Sequence, residues 1–464
     1  MTLIKSISGI RGTIGGSIDE NLTPLDAVKF SAAYGTWLLA RNPQKKLTVV
    51  IGRDARISGK MISSLVANTL VGLGINVLDL GLSTTPTVEV AVPMENAHGG
   101  IILTASHNPK QWNALKLLNE KGEFVNAQDG AEILAFAESE DMKFADVDDL
   151  GIYQKNSDYM SKHIDEVLKL DLVNAEAIKE AGFKVVVDAV NSTGGIIIPE
   201  LLERLGVECI KLYCEPNGEF PHNPEPLKEH LTDISERVVS EGADLGVVVD
   251  PDVDRLALVA EDGSMFGEEY TLVACADYVC GKHKGGNTVS NLSSSRALRD
   301  VTEKHGGTYT ASAVGEVNVV NAMKETQTVI GGEGNGGIIY PASHYGRDSI
   351  VGIALFLSLL AERKISVKAL RDSYPSYFMS KNKIQLTPEL DVDLILEKMA
   401  QKYAHETVNT IDGVKVDFKD NWVHLRKSNT EPIIRIYTEA KSQDLADQLA
   451  EQIIKEIEEI ALVN

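Results

Sequence analysis

Leu47-Thr-Val-Val-Ile51, Gly52-Arg-Asp-Ala-Arg-Ile-Ser-Gly59 and, after a helical stretch near 60–72, Gly74-Ile-Asn-Val-Leu-Asp79 form one unit: a β-branched run, a polar loop, a helix, then Gly and a second strand. The plan recurs twice. Lys184-Val-Val-Val-Asp188 leads through Asn191-Ser-Thr-Gly-Gly195 and a helix near 198–205 to Gly206-Val-Glu-Cys-Ile210. Asn287-Thr-Val-Ser-Asn291 leads through Ser293-Ser-Ser-Arg296 and a helix near 297–305 to Gly306-Gly-Thr-Tyr309. Apolar strands alternating with helices predict mixed, largely parallel sheets whose ligands bind at the strand C-termini. Each α/β unit would offer one loop to a shared cleft.

The last ~90 residues depart from this plan. Val414, Val416 and Phe418 alternate with polar residues, Lys419-Asp-Asn421 reads as a turn, and Trp422 to Leu425 and Ile433 to Tyr437 continue as strands. Leu445, Leu449, Ile453 and Ile457 recur every four residues, a stripe on one helical face. The expected fold is therefore three similar α/β domains with mixed sheets, over 1–150, 151–256 and 257–370, plus an α+β domain over 371–464. At 464 residues the chain is too long for one core, and length alone suggests about three small domains.

Composition narrows the function. Forty-five Lys and Arg against 67 Asp and Glu give a net charge of -22, which opposes binding to nucleic acid or an anionic membrane. Met-Thr-Leu-Ile-Lys-Ser at the start has no basic segment leading into an apolar core, so the reading is cytoplasmic. Ile353 to Ala361 is too short to span a bilayer and reads as a buried helix. Cys209, Cys214, Cys275 and Cys280 lack histidines at zinc spacing and read as reduced core residues.

Four loops carry the chemistry. Thr104-Ala-Ser-His-Asn-Pro109 follows the apolar run Gly100-Ile-Ile-Leu103; Ser106 can be a nucleophile there, although Ser and Asn also make ordinary turns. Asp250-Pro-Asp-Val-Asp-Arg255 ends the buried strand Leu245-Gly-Val-Val-Val249. Its Asp250, Asp252 and Asp254 are hard oxygen ligands suited to Mg2+ or Ca2+, and without a cation they would repel one another. An EF-hand is excluded, because the loop lacks that motif's Gly and Glu. Gly332-Glu-Gly-Asn-Gly-Gly337 matches a dinucleotide fingerprint, but Ile338-Ile-Tyr-Pro341 continues extended where that motif needs a helix. Glu333 and Asn335 offer instead a carboxylate and an amide to sugar hydroxyls. Arg426-Lys-Ser-Asn-Thr-Glu-Pro432 with Arg435 makes a cradle for a phosphate dianion; a salt-bridge network with Glu431 and Glu439 is the alternative.

In this order, one per apparent domain, the four loops resemble the α-D-phosphohexomutase superfamily over essentially the whole chain. The resemblance implies four domains around a central cleft. It implies Ser106 as the phosphoserine, completing a Mg2+ site with Asp250, Asp252 and Asp254. Arg11 in Gly9-Ile-Arg-Gly12, Arg53 in Gly52-Arg-Asp54, and Arg255 would lie near the reacting phosphoryl group, and Lys116 would be a candidate for proton transfer. Glu333 and Asn335 would read sugar hydroxyls, while Arg426, Ser428, Asn429, Thr430 and Arg435 would hold the phosphate that is not reacting. A hexose 1,6-bisphosphate activator, a hexose phosphate substrate, and a monomer or homodimer without nucleic-acid or membrane partners are expected. The chain departs from the pattern in the sugar loop, which lacks the family histidine; His107 and His344 are the substitutes considered. It also lacks the N-terminal Phe-Gly-Thr, and Asn113-Ala114 replaces Asn-Gly. Val314-Gly-Glu-Val-Asn318 and His344-Tyr-Gly-Arg-Asp348 look like phosphoglucosamine mutases, whereas Asn429 is common in phosphomannomutase/phosphoglucomutase relatives. A metal-dependent phosphomonoesterase and a non-catalytic sugar-phosphate sensor are the readings of another class.

Overall fold

A computed structural model of the chain describes residues 2–6, 9–43, 46–139, 141–385, 391–427 and 433–462. Its internal contacts divide it into two compact bodies, Met1–Tyr278 with Asn335–Ala369, and Val279–Gly334 with Leu370–Asn464.

The first body opens with a seven-stranded mixed sheet of β1 (Ile4–Ser6), β2 (Gly9–Thr13), β3 (Thr48–Arg53), β4 (Asn76–Leu82), β5 (Gly99–Leu103), β6 (Trp112–Leu118) and β7 (Tyr153–Lys155), in the order β1-β2-β6-β5-β3-β4-β7. The β3, β4, β5 and β7 strands run parallel, while β6 returns antiparallel to β5, so the eight residues between them form a tight loop at a strand C-terminus. The helix Pro24–Arg41 starts on a capping box in which Thr23 and Asp26 satisfy each other's backbone amides. It packs Phe30, Tyr34 and Trp37 into the core with Val49, Ile51 and Ile101 of the sheet. A second sheet has β8 (Lys184–Asp188), β9 (Glu208–Leu212), β10 (Leu245–Val249) and β11 (Leu256–Ala260) in the order β11-β10-β8-β9. Only β11 is antiparallel, and the aspartate loop is its turn from β10.

In the second body, β12 (Thr288–Asn291) lies between β13 (Tyr309–Ser312) and β14 (Ile330–Glu333), all parallel. The chain then returns to the first body as β15 (Gly337–Ile339) and the helix Ser349–Arg363, whose residues Ser349–Ala361 are all buried. The second body ends in an antiparallel sheet of β16 (Phe378–Gln385), β17 (Thr407–Asn409), β18 (Val414–Asp417), β19 (Trp422–Lys427) and β20 (Ile433–Ala440), ordered β16-β20-β19-β18-β17. The helices Val392–Lys402 and Gln443–Leu462 cover it. The fold class is thus α/β with mixed sheets plus a C-terminal antiparallel α+β unit.

Three local expectations change. The helix placed near 198–205 begins at Gly194. Gly194 and Gly195 read as loop residues, but they are glycines because a Cβ would fall 2.5 Å from Val249 Cγ2 and 2.2 Å from Cys214 O. In the last helix Leu445 is half exposed, and Ala446, Leu449, Ile453 and Ile457 form the buried stripe, since Ala446 is the first-turn residue that faces the sheet, its carbonyl accepting Thr438 Oγ1 of β20 at 2.8 Å. Cys209 and Cys214 are only partly buried, unlike Cys275 and Cys280, and all four are free thiols.

Candidate active site

Ser106 sits in the β5–β6 loop with φ of 49°, a left-handed conformation that a non-glycine residue adopts only when its surroundings impose it. The imposing groups are identifiable. Thr104 Oγ1 accepts the Ser106 amide at 3.0 Å, and Arg56 donates to the Ser106 carbonyl at 2.5 Å. Arg56 is itself fully buried and spends all five N–H groups: Nε on Asp54, and the two terminal nitrogens on the carbonyls of Ser106, Asn108, Pro109 and Trp112 at 2.5–3.0 Å. Burial raises the Asp54 carboxyl's pKa, and Arg56 opposes that shift. The loop is thereby fixed before any substrate arrives.

Ser106 Oγ donates to Asp250 Oδ2 at 2.8 Å. Asp250, Asp252 and Asp254 are fully buried, and one carboxylate oxygen from each lies within 4.8 Å of the others. Their surroundings differ. Asp250 Oδ1 accepts the amides of Asp254 and Arg255, yet burial and the two neighbouring aspartates drive its pKa well above the ordinary range. Burial acts against ionisation of Asp252 too, but Lys116 at 2.8 Å and Thr85 at 2.5 Å overcome it and hold the carboxyl below that range. Asp254 receives Arg347 at 2.6 Å. Lys116 and Arg347 bond Asp252 and Asp254, and the charge of Arg255 acts on Asp250 without overcoming its burial; Asp252 Oδ1 and Asp254 Oδ1 are buried without a hydrogen-bond partner among the described residues. A buried all-oxygen set with two uncommitted oxygens, in which one carboxyl is driven well above the ordinary range by its neighbours, fits a hard divalent cation completed by the Ser106 oxygen.

The remaining candidates divide. His107 Nδ1 is 3.3 Å from Ser106 Oγ, and burial, with Arg255, Arg347 and Lys116 around it, pushes the imidazole down to about 2, so it is neutral near pH 7. Lys116 loses some proton affinity to burial but gains more from Asp252 and Asp254, and stays an ammonium. Arg11 on β2 is lowered by burial and then by the charge of Arg255, so the two guanidinium groups crowd each other. Arg255 pairs with Glu225 at 3.5 Å and keeps a buried Nε without a partner among the described residues. Arg53 instead donates to Asp54 O at 3.0 Å, and it is Arg56 whose side chain reaches the serine loop. His344 bonds Asp348 and faces Glu89, so its imidazole is committed elsewhere. Arg56, Thr85 and Arg347 carry no motif of their own. Arg56 and Arg347 stand inside stretches whose other residues drew the reading.

In the second body, Glu333 Oε1 accepts Asn291 Nδ2 at 2.8 Å and the Gly315 amide at 3.3 Å. The preceding amide, Val314, donates to Asp412, which also pairs with Arg426 Nε at 3.0 Å. Glu333 and Arg426 therefore belong to one hydrogen-bonded chain. Arg426 lies directly opposite Arg435 in the β19–β20 register, and Arg435 lies opposite Lys383 on β16. Three cations stand abreast on one face, with Asp412 paired to Arg426 at one end, and such a row can share an anion. Lys383 gave no sequence signal, because only strand register brings it into the row. In the first body, Asn335 Oδ1 accepts the Gly337 amide at 3.2 Å and fixes its own turn. Ser428, Asn429 and Thr430 lie outside the described residues.

Comparison with known proteins agrees along the whole length. Four family models match in order: phosphoglucomutase/phosphomannomutase alpha/beta/alpha domain I over residues 3–144, domain II over 161–263, domain III over 267–377, and the C-terminal domain over 385–456. A phosphoglucomutase/phosphomannomutase of Thermococcus kodakarensis is 37% identical, covering 97% of this chain and 98% of its own. A phosphoglucosamine/phosphogalactosamine mutase of Sulfurisphaera tokodaii is 32% identical, covering 96% and 98%. Among solved structures, a phosphoglucomutase/phosphomannomutase family protein of Burkholderia thailandensis superimposes with a TM-score of 0.84 at 24% identity, covering 98% of both chains, which shows the shared fold. With a fixed serine against a buried aspartate triad, four matching domain models and relatives aligned end to end, the chain belongs to the phosphoglucomutase/phosphomannomutase family and is a phosphohexomutase, an isomerase that transfers phosphate within a sugar.

Proposed function

We propose that this phosphohexomutase interconverts glucosamine 6-phosphate and glucosamine 1-phosphate through phosphorylated Ser106 and a 1,6-bisphosphate, with Mg2+ on Asp250, Asp252 and Asp254. The observation that carries the covalent route is Ser106 Oγ, 2.8 Å from Asp250 on a loop whose conformation is already imposed. When bound, the metal would draw charge from the phosphoryl group. Arg11 and Arg255, crowded against each other, supply two further guanidinium groups for the same phosphoryl oxygens.

In the first half-reaction the Ser106 O–P bond breaks as an O–P bond to the sugar hydroxyl forms, and that hydroxyl gives up its proton. Lys116 is held protonated by two aspartates, so it suits stabilising the transferring oxygens and donating a proton more than abstracting one. The proton ends on the freed Ser106 Oγ; His107 Nδ1 lies 3.3 Å from that oxygen, but an imidazole pushed down to about 2 is too weak a base to carry the proton near pH 7. The bisphosphate then reverses, and the phosphate that was held distally returns to Ser106. The row Lys383, Arg435 and Arg426 suits that distal role because it recognises either phosphate alike. Glucosamine is preferred among hexoses because the Glu333 carboxylate, fixed by Asn291 and Gly315, can pair with an ammonium as well as accept from a hydroxyl. The Sulfurisphaera relative's name, phosphoglucosamine/phosphogalactosamine mutase, supports that choice. The Thermococcus relative's name, phosphoglucomutase/phosphomannomutase, supports glucose or mannose as the second reading.

Phosphorus NMR of the purified chain with Mg2+ and a trace of the matching hexose 1,6-bisphosphate tests this, with glucosamine, glucose and mannose 6-phosphates offered in turn. Fastest conversion of glucosamine 6-phosphate to the 1-phosphate, without free phosphate, is the expected result. A faster glucose or mannose reaction would reassign the sugar, and release of inorganic phosphate would reassign the chemistry to hydrolysis.

A further inference from the structure

Within the first body, apart from Ser106 and the aspartate triad, His163, His344 and Asp348 converge. His163 Nε2 and His344 Nε2 lie 2.9 and 3.1 Å from the same oxygen, Asp348 Oδ2. One ligand atom from each of the three residues lies within 4.8 Å of the others. The side chains of His163 and Asp348 are 1% exposed and that of His344 12%.

The atoms that turn away from this point are each held from behind. His163 Nδ1 meets Thr87 Oγ1 at 3.0 Å, and His344 Nδ1 faces Glu89 Oε2 at 3.5 Å. Asp348 Oδ1 accepts the Ile350 and Val351 amides at the start of the helix Ser349–Arg363. Two imidazoles and a carboxylate aimed inward, with outer partners fixing the far atom of each, is the arrangement of a metal centre and its supporting shell. Gly346 makes room for it, since a Cβ there would fall 1.9 Å from Glu89 Oε2.

Hydrogen bonding between neutral imidazoles and Asp348 fits the pattern less well, and an imidazolium at His344 is the competing arrangement that histidine NMR distinguishes. If each neutral imidazole gave its Nε2 proton to Asp348, His344 would turn a bare Nδ1 lone pair towards the Glu89 carboxylate. A cation on the two Nε2 atoms moves the proton to Nδ1, where Glu89 accepts it. It also supplies positive charge between Glu89 and Asp348, two carboxylates that are each 1% exposed. Nitrogen donors exclude a Mg2+-type ion and suit Zn2+ or Co2+, with a fourth position left for water.

We propose that His163, His344 and Asp348 bind one transition-metal ion of the zinc type, separate from the Mg2+ triad, with Thr87 and Glu89 orienting the imidazoles. The ion ties three segments together: the helix Tyr159–Leu168, the helix Thr85–Met94 and the turn before Ser349. Two of these carry Thr85 and Arg347, which hold Asp252 and Asp254, so the clip is a positioning device for the triad.

The test uses untagged full-length protein, stripped with a chelator and kept in excess Mg2+, titrated with Co2+ and then Zn2+. One equivalent per chain is expected, with the visible absorption of nitrogen-ligated Co2+ and a higher thermal midpoint on Zn2+ addition. His163→Gln and His344→Gln should lose the equivalent, Glu89→Gln should weaken it by roughly 10- to 100-fold, and Asp250→Asn should keep it. If the histidine variants fail to fold, nitrogen-15 histidine NMR of the wild type should show Zn2+ on Nε2 with Nδ1 protonated. Absence of a tight equivalent in excess Mg2+, its loss in Asp250→Asn, or imidazoles protonated on both nitrogens and indifferent to Zn2+ would overturn the proposal.

Discussion

Arg56→Met removes the group that holds the serine loop. It removes the ion-pair partner of Asp54, a carboxyl at 0% exposure, and takes the Arg56 donor from each of four backbone carbonyls. Breaking a buried pair by removing one partner costs about 3–5 kcal/mol, against the roughly 5–15 kcal/mol that stabilises a whole domain. The sharper variant is Arg56→Lys, which keeps the charge but offers three donors where five are used. Losing two charge-assisted bonds at about 1.5 kcal/mol each predicts a loss of about 3 kcal/mol, read as a lower urea midpoint. The amides of Ala105 to Asn108 should exchange faster with deuterium, and because a displacement near 1 Å at a reacting atom costs about 100-fold, turnover should fall by roughly that factor. An Arg56→Lys protein with wild-type midpoint, exchange and turnover would refute the claim that these five bonds impose the loop.

Ser106→Ala should abolish isomerisation and leave hexose-phosphate binding by calorimetry largely intact; an active variant would sink the covalent route. Lys383→Ala should raise KM about 5-fold with little change in kcat, the worth of ~1 kcal/mol for an exposed charge, and an unchanged KM would remove Lys383 from the phosphate row. Lys415 donates to Leu292 O and lies 4.2 Å from the Trp422 ring, and burial pushes it down to about 8 from 10.5. Between those values the unfolded chain binds more protons than the folded one, so stability should rise with pH through that window by roughly 3 kcal/mol. Urea titrations followed by tryptophan fluorescence from pH 7 to 10 would show it, and Lys415→Met should flatten the slope.

Elements that rest on short-range pattern are legible in the sequence. The apolar runs at β3, β8, β10 and β12 alternate with helices closely enough to require mixed, largely parallel sheets. A serine loop and an aspartate loop that each end a buried strand point to a strand C-terminal site. The strand β16 escaped, because Phe378–Gln385 is an edge strand with one buried residue and carries little apolar signal.

Sequence by itself determined the repeated α/β plan and the chemistry of Ser106, Asp250, Asp252 and Asp254, because strand periodicity and carboxylate spacing are local properties of the chain. Tertiary structure alone decided the partners. That Arg56 rather than Arg53 grips the serine loop, that Thr85 and Arg347 take up Asp252 and Asp254, that Lys383 stands beside Arg435, and that His163 meets His344 all depend on sheet order and strand register. These contacts join residues from 50 to 181 positions apart, and their energy comes from burial and complementary charge across the fold, which no local window of sequence contains.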